Sequence, residues 1–172
     1  MERMEMDLLM IRLNVCMSTG RYTEARTLLE EVLELEPAHG VAHGMMGWIM
    51  WVLVNDTERA LMHLRLAVRW APGDVNAHMH YLRLLVCREA EGELREAYTA
   101  ALGVAGIDRA QVHAVVARYL EQTGRRADAV ACYRRAMHAA TSEAEIREFR
   151  AAMVRARGGP LRHRVAHLLA ML

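Results

Sequence analysis

The sequence predicts an all-α fold built from tandem antiparallel helix pairs. Three observations carry that expectation. A short phrase recurs: Gly20, Ala25, Leu29, Val32 and Pro37 return as Asn55, Ala60, Leu64, Ala67 and Pro72, and again as Gly124, Ala129, Tyr133 and Ala136, with a weaker copy at Gly92, Ala97, Ala101 and Val104. Leu28, Leu29, Val32 and Leu35 fall at the three- and four-residue steps that make one apolar helix face. The composition is 53% apolar with three prolines and one phenylalanine, and it is rich in the helix formers Ala, Leu, Met, Arg and Glu.

Each part of the phrase has a physical task. Glycine, or Asn55 in its place, lets the chain leave a helix through a left-handed conformation. The alanine five residues later carries almost no side chain, so a neighbouring helix can approach it closely. Pro37 and Pro72 stop the helix that follows.

Taken in order, a first helix over 4–17 uses Leu8 or Leu9, Ile11, Val15 and Met17, and Gly20 turns the chain into a second helix over 23–35. A third helix runs over about 41–54, and a fourth, capped by Asp56 or Thr57, continues to Trp70. Asp74 caps a fifth through about Ala90. Gly92 begins the next turn, and a sixth helix covers 94–104. Asp108 caps a seventh through Gln122, and Gly124 leads to an eighth over 127–139. Ser142 to Glu145 has the form of a capping box, opening a ninth helix with Ile146, Phe149, Met153 and Val154 as its apolar positions.

Four helix pairs at a period of 34 to 35 residues resemble the tetratricopeptide repeat (TPR) family. Met46-Gly47 stands where the family has Leu-Gly. Ala25, Ala60, Ala97 and Ala129 match its small residue in the second helix, Leu29, Leu64 and Tyr133 its aromatic position, and Pro37 and Pro72 its closing proline. The sequence departs from the pattern in lacking the opening tryptophan, in about three extra residues before Gly92, and in lacking the proline of repeats three and four. The resemblance implies a TPR-like right-handed α-solenoid as a single domain, with repeats at about 6–39, 40–74, 75–109 and 110–141. A C-terminal cap would cover 142–172, of which 160–172 would either complete the cap or present a partner-binding helix.

The resemblance further implies a concave groove lined by the first helix of each pair. Carried over position by position, it would present Asp7, Met10, Asn14 and Met17 from the first repeat and Gly44, Trp48, Trp51 and Val52 from the second. Asn76, Met79 and Arg83 follow from the third, and Gln111, Ala114, Arg118 and Glu121 from the fourth. Asn14, Trp48, Arg83 and Arg118 would stand in a row. An aromatic beside two arginines suits a peptide or helix of a partner protein bearing an acidic group, since tryptophan supplies desolvated area and arginine binds carboxylates with two parallel hydrogen bonds. The same tryptophans would equally serve as packing between helices, and the arginines as solvated charge. Met10 stands where a clamp for a C-terminal carboxylate needs lysine, and the chain has no lysine.

His43, His78 and His113 recur every 35 residues. Equivalent atoms of adjacent repeats lie roughly 10 Å apart, too far for one ion that needs nitrogens within about 2.1 Å, so the histidines read as packing and no metal or cofactor is expected. Charge excludes more: 22 basic residues balance 21 acidic ones, leaving no broad footprint for nucleic acid. All the basic residues are arginine, which fits a GC-rich bacterial genome. No phosphate loop, zinc pattern or nucleophile motif is present, so the chain does not read as an enzyme. Cys16, Cys87 and Cys132 have no redox or metal spacing and read as buried thiols of a reducing, cytoplasmic compartment. No apolar run is long enough for a membrane span.

These observations predict a non-catalytic protein–protein interaction adaptor that holds a partner segment in its groove. The alternative is a structural subunit that assembles with a larger complex or with copies of itself through its convex face and C-terminal helix.

Overall fold

The structure, a computed structural model, describes residues 2–158, with side chains from Met4 onward. Among the described residues all regular structure is helical: α1 Glu2–Ser18, α2 Tyr22–Leu35, α3 Gly40–Val52, α4 Thr57–Trp70, α5 Val75–Cys87, α6 Glu91–Leu102, α7 Arg109–Gln122, α8 Arg126–Ala139 and α9 Glu143–Ala156. The first-type helices end at Ser18, Val52, Cys87, Gln122 and Ala156, steps of 34 or 35 residues, so α9 falls in the register of a further first helix. Residues 160–172, expected as cap or partner helix, lie outside the described residues.

The punctuation explains the boundaries. Gly20, Asn55 and Gly124 all take the expected positive φ. The side chains of Asp56 and Asp108 accept the backbone N–H groups of Arg59 and Gln111, Asp74 accepts those of Asn76 and Ala77, and the Ser142–Glu145 capping box is complete. One turn is corrected: Gly92 lies inside the first turn of α6, and Glu89, at φ 53°, makes the left-handed exit from α5. Accordingly α5 ends three residues before the expected Ala90, and α6 starts before the expected position 94. Cys16 and Cys132 are buried as expected, whereas Cys87, at the exposed end of α5, is not.

The described residues form two compact units, one of residues 2–85 together with Gly103–Ala105, the other of Val86–Leu102 with residues 106–158. In the first, α1 packs on α2, α2 on α3, and α3 most extensively on α4. Its core holds Leu13, Leu29, Ile49, Leu64, Leu82 and Leu85. In the second, α7 packs on α8 and α8 on α9, with Phe149 of α9 fully buried beside Ala110, Ala114 and Ala136. Ala25, Ala60, Ala97 and Ala129 are all buried, as a close helix approach requires.

Two glycines of α3 show how close that approach is. A Cβ at Gly47 would lie 2.7 Å from Leu64 Cγ and 3.2 Å from the Ala60 carbonyl oxygen; one at Gly40 would lie 2.5 Å from the Ala71 backbone nitrogen. The buried histidines fasten the same region. His43 Nε2 donates to the Pro37 carbonyl at 3.0 Å, and His78 Nε2 repeats the bond to the Pro72 carbonyl at 3.0 Å. With its Nε2 proton committed, neutral His43 accepts at Nδ1, so the 2.9 Å contact is donated by His63 Nδ1. His113, only half-buried, meets the Tyr98 hydroxyl at 2.7 Å instead. His39 caps α3, its Nδ1 accepting from the Ala42 N–H at 3.2 Å. The expected packing role of these histidines is the one observed, and no cluster of three or more metal-ligating side chains occurs among the described residues.

Burial, then His43 and then Arg59 hold the His63 pKa down to about 4 from 6.5. An unfolded chain therefore binds a proton here as pH falls through 6.5, while the folded one refuses it until about 4. The unfolded state binds more protons in that window, so acid draws the equilibrium toward it.

Three stability predictions follow from this geometry. Gly40→Ala gains at most about 1 kcal/mol of helix propensity but meets backbone that cannot rotate aside, at a cost of about 1–3 kcal/mol. It should lower the melting midpoint by roughly 2–8 °C. Gly92→Ala, with nothing within 4 Å of the added carbon, should leave the midpoint unchanged or raise it; a drop would return Gly92 to a turn. Denaturant titrations between pH 7 and 4 should show stability falling with pH, and His63→Gln should flatten the profile measurably. Identical profiles would remove His63 as the source.

Candidate partner-binding site

The first unit carries an open hollow of about 770 Å³ on the side formed by its first-type helices. Met17 of α1, Val41, Met45 and Trp48 of α3, and Asn76 and His80 of α5 line it, with Gly73 and Asp74 of the connecting turn at its rim. The sequence places these together for a simple reason. Gly44 has no side chain, and a Cβ there would sit 3.5 Å from Ala77 Cβ and 3.3 Å from Asp74 Oδ2. Small residues on both helices bring α3 and α5 close beneath the hollow and leave their larger side chains to form its walls.

Trp48 is half-buried and has two rings near it. Tyr22 of α2 tilts against it with centroids 5.2 Å apart, and the His80 ring lies 6.5 Å away. Packing and presentation therefore coexist in this residue: the indole is held in orientation, yet part of it faces the hollow. Burial and then the Arg83 charge push the His80 pKa down, against a smaller opposing pull from Asp74. Arg83, one turn beyond His80, is exposed. The site at neutral pH thus offers an aromatic wall, a neutral imidazole, the amide of Asn76 and a nearby guanidinium.

The remaining expected residues divide. Met10, half-buried, and Asn14, exposed, lie on α1 two turns and one turn before Met17. Trp51 is half-buried but stands outside the lining of the hollow. Met79 is corrected: at 9% exposure it belongs to the core and presents little to a partner.

In the second unit, Gln111 is half-buried and Arg118 exposed on α7. Glu121 is already engaged: Arg155 Nε and Nη2 donate to its two oxygens at 2.9 and 3.3 Å, and the Tyr133 hydroxyl donates at 3.0 Å. Burial alone would raise the Glu121 pKa, but the Arg155 and Tyr133 hydrogen bonds and the charges of Arg155 and Arg118 outweigh it and hold the carboxyl low. Glu121 is thus a fastener between α7, α8 and α9 rather than a free groove acid.

His80, Val41 and Tyr22 were missed by the sequence reading. His80 sits two residues from His78, whose repeat spacing drew attention first. The available signal was its position on α5, about one turn after Asn76 and so on the same face.

Residues 7–39 match the family model described as Tetratricopeptide repeat. No curated protein matches the chain. Among solved structures, similarity extends to the PilF protein of Pseudomonas aeruginosa, with a TM-score of 0.70 at 13% identity over 94% of this chain and 80% of that one. PilW, titled a widely conserved type IV pilus biogenesis factor, is similar at TM-score 0.70 and 13% identity over 87% of this chain and 69% of its own. A MamA double mutant is similar at 0.65 and 15% identity, covering 78% of this chain and 74% of the other. At such identities the likeness establishes the fold alone. No helix among the described residues is long and apolar enough to cross a membrane. Residues 7–39 thus match a tetratricopeptide repeat, and the described residues share the helix-pair fold of these similar structures.

Proposed function

We propose that this chain is a non-catalytic, cytoplasmic adaptor that holds a segment of a partner protein against the first-helix side of its first unit. The fold itself supports a protein–protein interaction or scaffold role. The observation that carries the finer reading is Trp48: its ring is oriented by Tyr22 and His80 yet faces an open hollow of about 770 Å³. A partly exposed, rigidly held tryptophan costs little entropy to bury and offers large apolar area, which is how binding hot spots are built. Exposed Arg83, one turn beyond His80 and outside the lining of the hollow, supplies the nearest cation of α5, so the bound segment would pair an apolar anchor with an acidic group. Met17 and Met45 line the hollow with flexible thioethers that adapt to the anchor's shape. Asn14 would extend contact along α1, while Gln111 and Arg118 would offer contacts belonging to the second unit by itself.

A second reading, an assembly subunit that uses its second-type helices, is favoured by a smaller cleft of about 250 Å³ in the second unit. Leu94, Tyr98, Tyr119 and Cys132 make its apolar walls and Arg95 and Arg135 its cationic edge. PilW, a type IV pilus biogenesis factor of similar fold, is in keeping with such a role.

Affinity capture followed by calorimetric titration of the captured partner tests the first reading. Trp48→Ala should weaken binding by at least about 2 kcal/mol, as buried aromatic anchors do. Arg83→Lys should weaken it too, because an ammonium cannot reproduce a two-pronged contact with a carboxylate. Circular dichroism should show both variants folded. Wild-type affinity in both would move the site away from α3 and α5, and loss on Tyr98→Ala instead would favour the assembly reading.

A further inference from the structure

Helix α1 is apolar on two opposite sides. Leu9, Leu13 and Cys16 are buried against the rest of the first unit. On the far side Met4 is 74% exposed, Leu8 58%, Ile11 61% and Val15 46%. These four follow one another at steps of four, three and four residues, the seam spacing of a two-helix coiled coil. Polar residues flank the seam in a defined way. Glu5 and Arg12, seven residues apart, share one flank, while Asp7 and Asn14 share the other; all four are exposed.

From this we propose that α1 is a self-association surface: two copies of the chain pair through it, antiparallel, about a two-fold axis. In that arrangement Leu8 meets Ile11 of the partner subunit and Met4 meets Val15 of the partner subunit, each contact occurring twice. The flank carrying Glu5 then faces its own symmetry mate. Glu5 lies opposite Arg12 of the partner subunit, and Arg12 opposite Glu5 of the partner subunit. The surface is therefore self-complementary in charge as well as apolar along its centre, and this singles out a second copy as the occupant. A net formal charge of +1 raises no long-range barrier to association. From Met4 to Val15 the seam is about 17 Å long. That is a small interface, so the dimer should be concentration-dependent and of micromolar stability. This surface is separate from the Trp48 hollow, and either proposal can fail without the other.

Sedimentation equilibrium of the full chain across the micromolar range tests it. A monomer–dimer equilibrium is expected, and the double variant Leu8→Glu/Ile11→Glu should be monomeric with an unchanged circular dichroism spectrum. Glu5→Arg and Arg12→Glu alone should each weaken the dimer, by about three- to tenfold for exposed ion pairs counted twice. An equimolar mixture of these two variants should restore wild-type affinity, since each then meets an opposite charge at both positions. Asp7→Arg should change little. A wild-type chain that stays monomeric, a dimer indifferent to Leu8→Glu/Ile11→Glu, or a mixture no tighter than its components would overturn the proposal. Dependence on Asp7 rather than Glu5 would do so as well, because that is the pattern of parallel helices. Loss of the dimer on deleting residues 159–172 would overturn it by making that segment the occupant.

Discussion

The closeness of paired helices is the constraint on which the rest of this structure depends. At the centre of α3 and α4, Gly47 faces Leu64 and the Ala60 backbone with no room for a single carbon. Such contact demands a small residue on both partners, and the chain supplies one at Ala25, Ala60, Ala97 and Ala129. Once the backbones are that near, Leu29, Leu64 and Tyr133 are sealed between them. Burial of a side chain of that size contributes about 1.5–3 kcal/mol, whereas the exposed ion pairs along the helices contribute about 0–1 kcal/mol each. Packing at the small residues therefore decides the fold, and charge adjusts it.

Buried polar groups obey the same logic in reverse. Close packing removes water from the start of α3 and α5, so an imidazole there must find a partner within the chain. His43 and His78 both find it in the carbonyl of the proline that ended the preceding helix. Proline lacks an N–H but keeps a full acceptor, and at the end of a helix that carbonyl is unclaimed. The repeat thus uses its stop signal twice, once to terminate one helix and once to hold the next. Where the proline is absent, before α7, His113 turns to Tyr98 instead.

Most of the fold was legible in sequence because its determinants are local. Turn glycines, capping aspartates and helix periodicity act over a few residues, and Gly20, Asn55, Asp108 and Ser142 behave as their chemistry requires. The failure at Gly92 is instructive: glycine permits a left-handed turn but does not compel one. Here a three-residue shift in the preceding helix gave that turn to Glu89. The candidate site was less legible. Trp48 and Asn76 line the hollow, but Met79 is in the core and Glu121 is tied to Arg155. Which side of a first helix faces outward is visible in periodicity. Which outward residue is claimed by a neighbour 34 positions away, as Glu121 is by Arg155, depends on tertiary geometry that spacing alone does not contain.

The outward faces of α1 and α9 differ in a way that bears on function. Both are first-type helices packed on one side only by what is described here. A repeat array remains soluble when its outermost faces are polar. Helix α9 meets that requirement, for Glu143, Arg147, Glu148 and Arg150 are exposed along it. Helix α1 does not: its outer seam is Met4, Leu8, Ile11 and Val15, with charge confined to the flanks. Apolar residues scattered singly on a surface need no explanation, but four in register along one helix do. Exposing them gives up burial the chain would otherwise gain, and they do not improve the inner core, which Leu9, Leu13 and Cys16 already fill. That arrangement suits the self-association proposed for α1, in which the flank carrying Glu5 and Arg12 meets its own copy.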